Sequence, residues 1–362
     1  MGKKAPHLLY AVLDWGMGHA ARSIPVIKEL LHAGARISLV GEGNSGFLLQ
    51  SEFPRLPFYT IKGIQVTYPT HLPMSLSMLL QTFHISRSIQ REHKAIVQLA
   101  DEIRPDAIIS DNRYGAYVAG LPSVIISHQL SLQAPEKLPW LKYFINKVNH
   151  HYLKNFDVHW VPDSTGPDNL TGELSHNELA VKTYHPVYIG PLSRFKDLSF
   201  SENHERYEAL VILSGPEPQR SRIENLLTTQ LNELKIKTLM VCGTPLKNKA
   251  EPVQHVQKVP HLQSEELAFH LRNSRYLISR SGHSTLMDLC AVKRSIICIP
   301  TPGQTEQEYL ARLHAAAGKI VYIRQDHLDL REALLKLEHC RPFELPVNEG
   351  LKPVIRKFLD GL

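Results

Sequence analysis

Two neighbouring stretches decide the reading of this chain: Leu277-Ile-Ser-Arg-Ser-Gly-His-Ser-Thr-Leu-Met-Asp-Leu-Cys290 and Ile296-Ile-Cys-Ile-Pro-Thr-Pro-Gly-Gln-Thr-Glu-Gln-Glu-Tyr309. In each, a short apolar run with the look of a buried strand breaks into a turn of small residues, and the turn opens a helix. Ser281, Gly282, Ser284 and Thr285 fall at such a helix start. Their hydroxyls and the unpaired first-turn N–H groups face whatever lies beyond the strand ends, a geometry that favours an anion, and phosphate above all. Asp288 and Gln307 follow close behind the two helix starts and suit hydrogen bonds to a sugar or a ribose. Taken singly, each hydroxyl is better read as an ordinary helix cap. The combination is what points to a ligand.

The same unit recurs outward from these stretches. Residues 7–14 form an apolar strand ending at Trp15-Gly-Met-Gly-His-Ala-Ala21; a helix follows over 20–32 with Gly34 as its stop, and 36–40 form the next strand. A long helix over 75–104 leads to a strand at 107–110, with Asp111-Asn-Arg-Tyr-Gly115 beyond its end, and a strand at 123–127 runs into His128. Strands at 159–162 and 187–189 complete a first domain, 1–190, and the polar stretch 191–207 reads as a linker. The alternation restarts at 209–213, turns at Ser214-Gly-Pro-Glu-Pro218, and continues through a helix from 219 and strands at 237–242, 276–278, 296–299 and 320–323. That gives a second domain, 208–342, and an amphipathic tail, 343–362. Strand, glycine-rich turn, helix, strand opens a doubly wound parallel sheet, so the expected fold class is α/β with two Rossmann-like domains.

Composition limits the function classes. The 362 residues suit two domains of ordinary size. No apolar run reaches the roughly 18 residues of a membrane span. The first apolar run is too short, and Asp14 too early, for a signal peptide. Cys242, Cys290, Cys298 and Cys340 lack CxxC spacing and read as reduced thiols of a cytoplasmic protein. A net charge of +6 suits anionic substrates or a membrane surface and is not a nucleic-acid signature. No Asp-x-Asp stands at a strand end, so no metal is expected at a diphosphate. The segment Trp140-Leu-Lys-Tyr-Phe-Ile-Asn-Lys-Val-Asn-His-His-Tyr152 mixes aromatic, apolar and basic residues. It reads as a packed surface helix or as a helix lying peripherally on the inner face of an anionic membrane.

The combined pattern resembles the carboxy-terminal half of GT-B glycosyltransferases, in the family 28 group that holds the bacterial lipid-I N-acetylglucosaminyltransferase and plant galactolipid synthases. In that group an Arg-(Ser/Ala)-Gly turn, a Thr, and an acidic residue three positions on form the nucleotide-sugar site. The matching residues are Arg280-Ser281-Gly282, Thr285 and Asp288. A Pro-rich turn and a Gln-Gln pair follow in the group; here the pair reads Gln307-Glu308, and Asp288 stands where that bacterial enzyme has Glu. The departure at Glu308 leaves the donor sugar open. The resemblance implies two Rossmann-like domains facing across a cleft, a terminal helix that often crosses back to the first, and transfer with inversion. It also implies a nucleotide-sugar co-substrate, UDP-linked by preference, with no further cofactor and a glycan or lipid acceptor.

Glycosyltransferases of this plan carry a Gly-x-Gly-His turn on the acceptor side, matched by Gly16, Gly18 and His19. Imidazole titrates near neutrality, so His19 is the candidate base for a sugar or lipid hydroxyl. Asp111 is the candidate partner that orients it, and His128 a further strand-end histidine nearby in the pattern. Ser214, Gly215 and Arg280 are candidates for N–H donors and positive charge at the departing diphosphate. Thr244-Pro245, at another strand end, read as a border of the base site. Two other readings stay open. Gly16-Met-Gly18-His-Ala-Ala21 also matches the G-x-G-x-x-A dinucleotide fingerprint, with Glu42 after the second strand, as in an NAD(P)-dependent oxidoreductase. A UDP-sugar epimerase on the same architecture is the third.

Overall fold

The computed structural model describes residues 5–64, 74–136, 138–196, 198, 205–215, 217–244 and 253–362, with 74–83 described by backbone alone. Pro245 and most of the polar stretch between 197 and 204 lie outside the described residues. The chain divides into two compact units, Met1–Ser193 with Pro346–Leu362, and Arg194–Leu345.

The first unit runs β1 (His7–Val12), α1 (Gly18–His32), β2 (Arg36–Gly41), α2 (Gly43–Glu52), β3 (Phe58–Thr60), α3 (Met74–Ile103), β4 (Ala107–Asp111) and β5 (Ser123–Ile126). It continues with α4 (Leu141–Leu153), β6 (Val158–Val161), α5 (Glu173–His176), α6 (Glu178–Tyr184) and β7 (Val187–Tyr188). The second runs β8 (Ala209–Ile212), α7 (Gln219–Glu233), β9 (Thr238–Val241), β10 (Val256–Val259), α8 (Ser264–Asn273), β11 (Tyr276–Ser279) and α9 (His283–Val292). It closes with β12 (Ile296–Cys298), α10 (Thr305–Ala316), β13 (Ile320–Tyr322) and α11 (Leu330–Leu337), and α12 (Leu351–Asp360) returns to the first unit.

Among the described residues the first sheet has the order β3-β2-β1-β4-β5-β6-β7 and the second β10-β9-β8-β11-β12-β13, with every ladder parallel. Leu8 through Val12 and all of β4 are buried, as strands covered by helices on both faces must be. Each order reverses once, between β1 and β4 and between β8 and β11. In open parallel sheets ligands collect beyond the carboxyl ends of the strands at such a reversal. The register there sets Val12 opposite Asp111 and Ile212 opposite Ser279. Strands β3 and β10 are absent from the sequence-based reading. Both are sheet edges, half-buried along most of their length, and β10 carries Gln257 and Lys258, so neither shows the apolar run that marks a central strand.

The first unit's core gathers Leu9, Val40, Ile96 and Ile108 in one cluster and Ile125, Phe156 and Val161 in another. The second has a cluster running from Ala209 and Val211 through Ile297 to Leu337. The tail re-enters the first unit at Asn348, whose N–H donates to Pro191 O at 2.8 Å and whose Oδ1 accepts from Ser193 N at 3.0 Å. Gly350 then passes so close to Ile189 that a Cβ there would lie 2.9 Å from its carbonyl, which only glycine tolerates. Beyond it, α12 packs on α1, burying Leu351 and Ile355, and Phe358 meets Trp160 edge-on at 5.5 Å. Fully burying two such aliphatic side chains contributes about 1.5–3 kcal/mol each. The four cysteines are unpaired thiols, three of them buried.

Candidate active site

The reversal in the first sheet brings together residues from three elements. The turn after β1 passes through Gly16, at φ +77, and opens α1 at Gly18. The first turns of α1 carry His19, Arg22 and Ser23, while β4 ends at Asp111 and the residue pair after β5 includes His128. His19 Nδ1 lies 2.7 Å from Asp111 Oδ1. Arg22 engages both carboxylate oxygens, Nε reaching Oδ2 at 2.8 Å while its NH2 group bonds Oδ1 closely. Ser23 Oγ donates to Oδ2 at 3.0 Å. A second arm of the guanidinium, NH1, lies 3.3 Å from His128 Nδ1. Arg22 and Ser23 were not read from the sequence, although their spacing of three and four from His19 puts all three on neighbouring turns of one helix.

One contact in this cluster conflicts with another. Arg22 NH2 also lies 2.9 Å from His19 Nδ1, and that nitrogen cannot both donate to Asp111 and accept from Arg22. An ionised carboxylate at 2.7 Å requires the proton, so Nδ1–H donates to Asp111 and Nε2 keeps its lone pair. The Arg22 contact is then two donors converging on one oxygen. Burial first, and Arg22 second, hold the imidazole below its ordinary pKa, against the upward pull of Asp111. Burial pushes Asp111 up, but Arg22 and then His19 reverse this and hold its carboxyl well below the usual range. The Asp111 side chain is fully buried, while that of His19 keeps 13% of its exposure. A neutral, partly accessible imidazole on a buried carboxylate is the arrangement of a general base.

Neighbouring polar groups brace the same turns. Glu42 Oε1 accepts from Gly63 N at 2.5 Å, so the acidic residue that a dinucleotide reading needs at a ribose is engaged with backbone. Asp14 Oδ1 accepts from Ser45 N at 2.9 Å in the first turn of α2. Just past Asp111, Arg113 pairs with buried Glu92 and donates to Ile61 O at 2.8 Å.

In the second unit the two helix starts differ. At α7 the Glu217 carboxylate already accepts from Ser221 N at 3.2 Å and pairs with Arg220. The turn before it leaves Ser214 and Gly215 exposed, with Gly215 at φ +102. At α9 the N-cap is Gly282, which brings no side chain to the first-turn N–H groups. Its buried face is His283, Leu286, Met287, Leu289 and Cys290. Ser284, Thr285 and Asp288 are half-buried and share the opposite stripe, at spacings of three and four.

Four of the sequence-based candidates are engaged with other parts of the fold. Arg280 is 2% exposed, its NH1 donating to Ile299 O at 2.8 Å and Pro300 O at 3.1 Å and its NH2 to Gln219 O at 3.1 Å. Burial pulls its pKa down to about 10. It ties the loop after β12 to the start of α7 instead of standing open to a phosphate. Ser281, fully buried, donates from Oγ to Gln307 O at 2.7 Å. Gln307 Oε1 accepts from Thr301 N at 2.8 Å, and Glu308 Oε1 from Gly303 N at 2.8 Å, so both brace the Pro-rich turn. Thr301, missed in the sequence, is buried with no partner for its hydroxyl among the described residues, 3.5 Å from where a Cβ on Gly215 would stand. No group of three or more His, Cys, Asp or Glu side chains is gathered as a metal site among the described residues.

Comparison with known proteins places the chain. Residues 219–352 match the glycosyltransferase family 28 C-terminal domain, and 6–137 match the family described as glycosyl transferase family 1. An uncharacterised glycosyltransferase of Methanosarcina mazei is 23% identical over 338 residues, 86% of this chain and 84% of its own length. One from Methanosarcina acetivorans is 24% identical over 313 residues, 81% of this chain and 79% of its own. Among solved structures, the calicheamicin glycosyltransferase superposes with a TM-score of 0.60 at 15% identity, covering 99% of this chain and 95% of that one. MurG of Acinetobacter baumannii gives 0.55 at 14%, covering 99% and 100%. An Arabidopsis thaliana protein solved with UDP-L-rhamnose gives 0.59 at 14%, covering 99% and 94%. Neither an oxidoreductase nor an epimerase is favoured by these matches. With a glycosyltransferase family model matching part of each of its two units, the chain is a glycosyltransferase of the GT-B fold, similar over residues 219–352 to the family 28 carboxy-terminal domain.

Proposed function

We propose that the chain transfers a sugar from a UDP-sugar to an acceptor hydroxyl, with inversion at the anomeric carbon and without a metal ion or further cofactor. The observation that carries this reading is the 2.7 Å His19–Asp111 hydrogen bond at the reversal of the first sheet. With Nδ1–H engaged, the Nε2 lone pair takes the acceptor proton while the acceptor oxygen bonds to the anomeric carbon. The bond from that carbon to the nucleoside diphosphate breaks, and the diphosphate leaves with the electron pair. One displacement of this kind inverts the centre. Asp111 keeps its proton off and stabilises the imidazolium that forms.

The donor assignment rests on α9. Its first turn, with side-chain-free Gly282 as N-cap, suits the diphosphate, and the Thr285–Asp288 stripe suits the ribose, with Ser284 and the exposed turn residues Ser214 and Gly215 as further donors. The structural neighbour solved with UDP-L-rhamnose supports UDP as the nucleotide. The absence of Asp-x-Asp from the sequence supports a metal-free site. Calorimetric titration with UDP, GDP, dTDP and NAD in EDTA tests the reading. UDP binds, NAD does not, and Thr285→Ala and Asp288→Ala each weaken UDP about tenfold or more, a loss of roughly 1.4 kcal/mol. Unchanged affinity in both variants rejects the site.

A second reading concerns the acceptor. Trp140, Tyr143, Phe144 and Val148 are 60%, 68%, 54% and 45% exposed and follow one stripe of α4. From Lys137 to Phe156 the chain carries lysines and histidines but no acidic residue. No helix among the described residues is long and apolar enough to cross a membrane. An aromatic and basic stripe of this kind supports peripheral contact with an anionic bilayer, which favours a lipid-borne acceptor. Co-sedimentation with phosphatidylglycerol vesicles, lost in a Trp140→Ser, Phe144→Ser double variant, checks it. Equal binding by parent and variant removes the reading.

A further inference from the structure

Arg22 has no part in the proposed proton transfer, yet it touches Asp111, His19 and His128. Its guanidinium meets both oxygens of Asp111, approaches His19 Nδ1 at 2.9 Å and reaches His128 Nδ1 at 3.3 Å. The groups facing His19 are therefore Arg22 on its own helix, Asp111 at the end of β4 and His128 after β5, with Tyr10 of β1 facing Asp111. A histidine alone on a buried carboxylate is drawn to protonate, because the imidazolium is the nearest available counter-charge. Here the carboxylate already has one.

We propose that Arg22 is the positioning residue of this site: by neutralising Asp111 itself, it leaves His19 an uncharged base with Nδ1–H fixed on the carboxylate and Nε2 open. The proposal rests on the reading of His19 as the base. Two features of the geometry support it. Protonating Nε2 sets a second positive charge beside a guanidinium 2.9 Å away, so resting imidazolium is disfavoured. The negative charge of Asp111 remains in place, so an imidazolium formed during transfer still finds its partner. Arg22 also fixes His128, because accepting from NH1 places the remaining ring proton of a neutral His128 on Nε2.

The test is a pH titration of the His19 ring by NMR in the full chain with labelled histidine, the resonance identified by its loss in His19→Ala. In the parent, His19 titrates below the ordinary value of about 6.5. In Arg22→Gln, which removes the charge, the midpoint rises by about one pH unit or more. Arg22→Lys, which restores a charge, titrates closer to the parent than to the glutamine variant. A merely structural Arg22 leaves the midpoint where it was. A parent His19 that titrates above the ordinary value, or an Arg22→Gln midpoint at or below the parent's, overturns the proposal. Where Arg22→Gln fails to fold, Arg22→Met and Arg22→Ala take its place, with the same rise expected and the same unchanged midpoint overturning the proposal. UDP titration of the same samples keeps the two claims apart, since loss of UDP binding strikes the donor assignment and leaves the His19 midpoints standing.

Discussion

Val12 and Asp111 stand opposite each other in the parallel ladder between β1 and β4, each the last residue of its strand. The turn that follows one strand and the carboxylate that ends the other therefore emerge at one level. The helix start that carries His19 meets Asp111 there at 2.7 Å. Register fixes this meeting, since a slip of one residue sends the carboxylate to the other face of the sheet.

His19→Ala lowers kcat by roughly 10²–10⁴-fold, the usual worth of a positioned proton transfer. UDP affinity stays near the parent value, because the residues assigned to the donor belong to the second unit. Steady-state rates with a UDP-sugar, beside calorimetric titration of UDP, separate this from a packing role, in which folding, binding and turnover fall together.

Asp111→Asn is not the mild change that an orienting partner alone implies. It leaves the Arg22 guanidinium buried without its counter-charge, and breaking a buried pair from one side costs about 3–5 kcal/mol. Thermal melts show Asp111→Asn well below His19→Ala.

Acid weakens the fold through both groups. Asp111 titrates lower folded than unfolded, so its stabilisation is complete above the unfolded value of about 4 and is lost as pH falls through the lower, folded one. His19 is also held low, so its neutral form stabilises above about 6.5, and that share is lost as pH falls through its folded value. The melting temperature should drop as pH falls below the histidine value of about 6.5 and again below the carboxylate value of about 4, and His19→Ala should flatten the drop at the higher pH.

Arg280→Met leaves three carbonyls without their donor. Hydrogen bonds to a charged group contribute about 1.5–3 kcal/mol each, and partial rescue by water keeps the expected loss near ~3 kcal/mol. UDP binding falls with stability in this variant and does not fall in a destabilised control mutated in the first unit. Retained stability with selective loss of UDP would instead make Arg280 a direct ligand.

Thr301→Val keeps the shape of a buried side chain and removes a hydroxyl with no partner among the described residues. An unsatisfied buried polar group costs about 1–3 kcal/mol, so the ligand-free variant melts higher than the parent. A lower melting point shows that the hydroxyl is satisfied in solution.

Central strands and helix starts were legible because the chemistry that makes them is local. Leu8 to Val12 and Ile296 to Ile299 are apolar runs that only burial explains, and Gly16 and Gly282 punctuate them. Asp111 was legible at a strand end, and His19 in the glycine turn that opens α1. What stayed hidden depends on partners far apart in sequence. Arg22 reads as an ordinary helix arginine until β4 brings Asp111 to it, and Arg280 reads as a phosphate ligand until the loop after β12 folds over it. Edge strands β3 and β10 hide for a related reason: with one neighbour and a half-open face, they need no apolar run.

The close approach of Gly350 to Ile189 has a consequence for synthesis. The first unit is discontinuous, and the segment that covers α1 and meets Trp160 comes only after the whole of Arg194–Leu345. A nascent chain thus exposes the α12-binding face of α1 while the second unit is being made, so the usual order of amino-terminal folding first is interrupted. The second unit, continuous in sequence, can complete itself on the ribosome before the first is sealed.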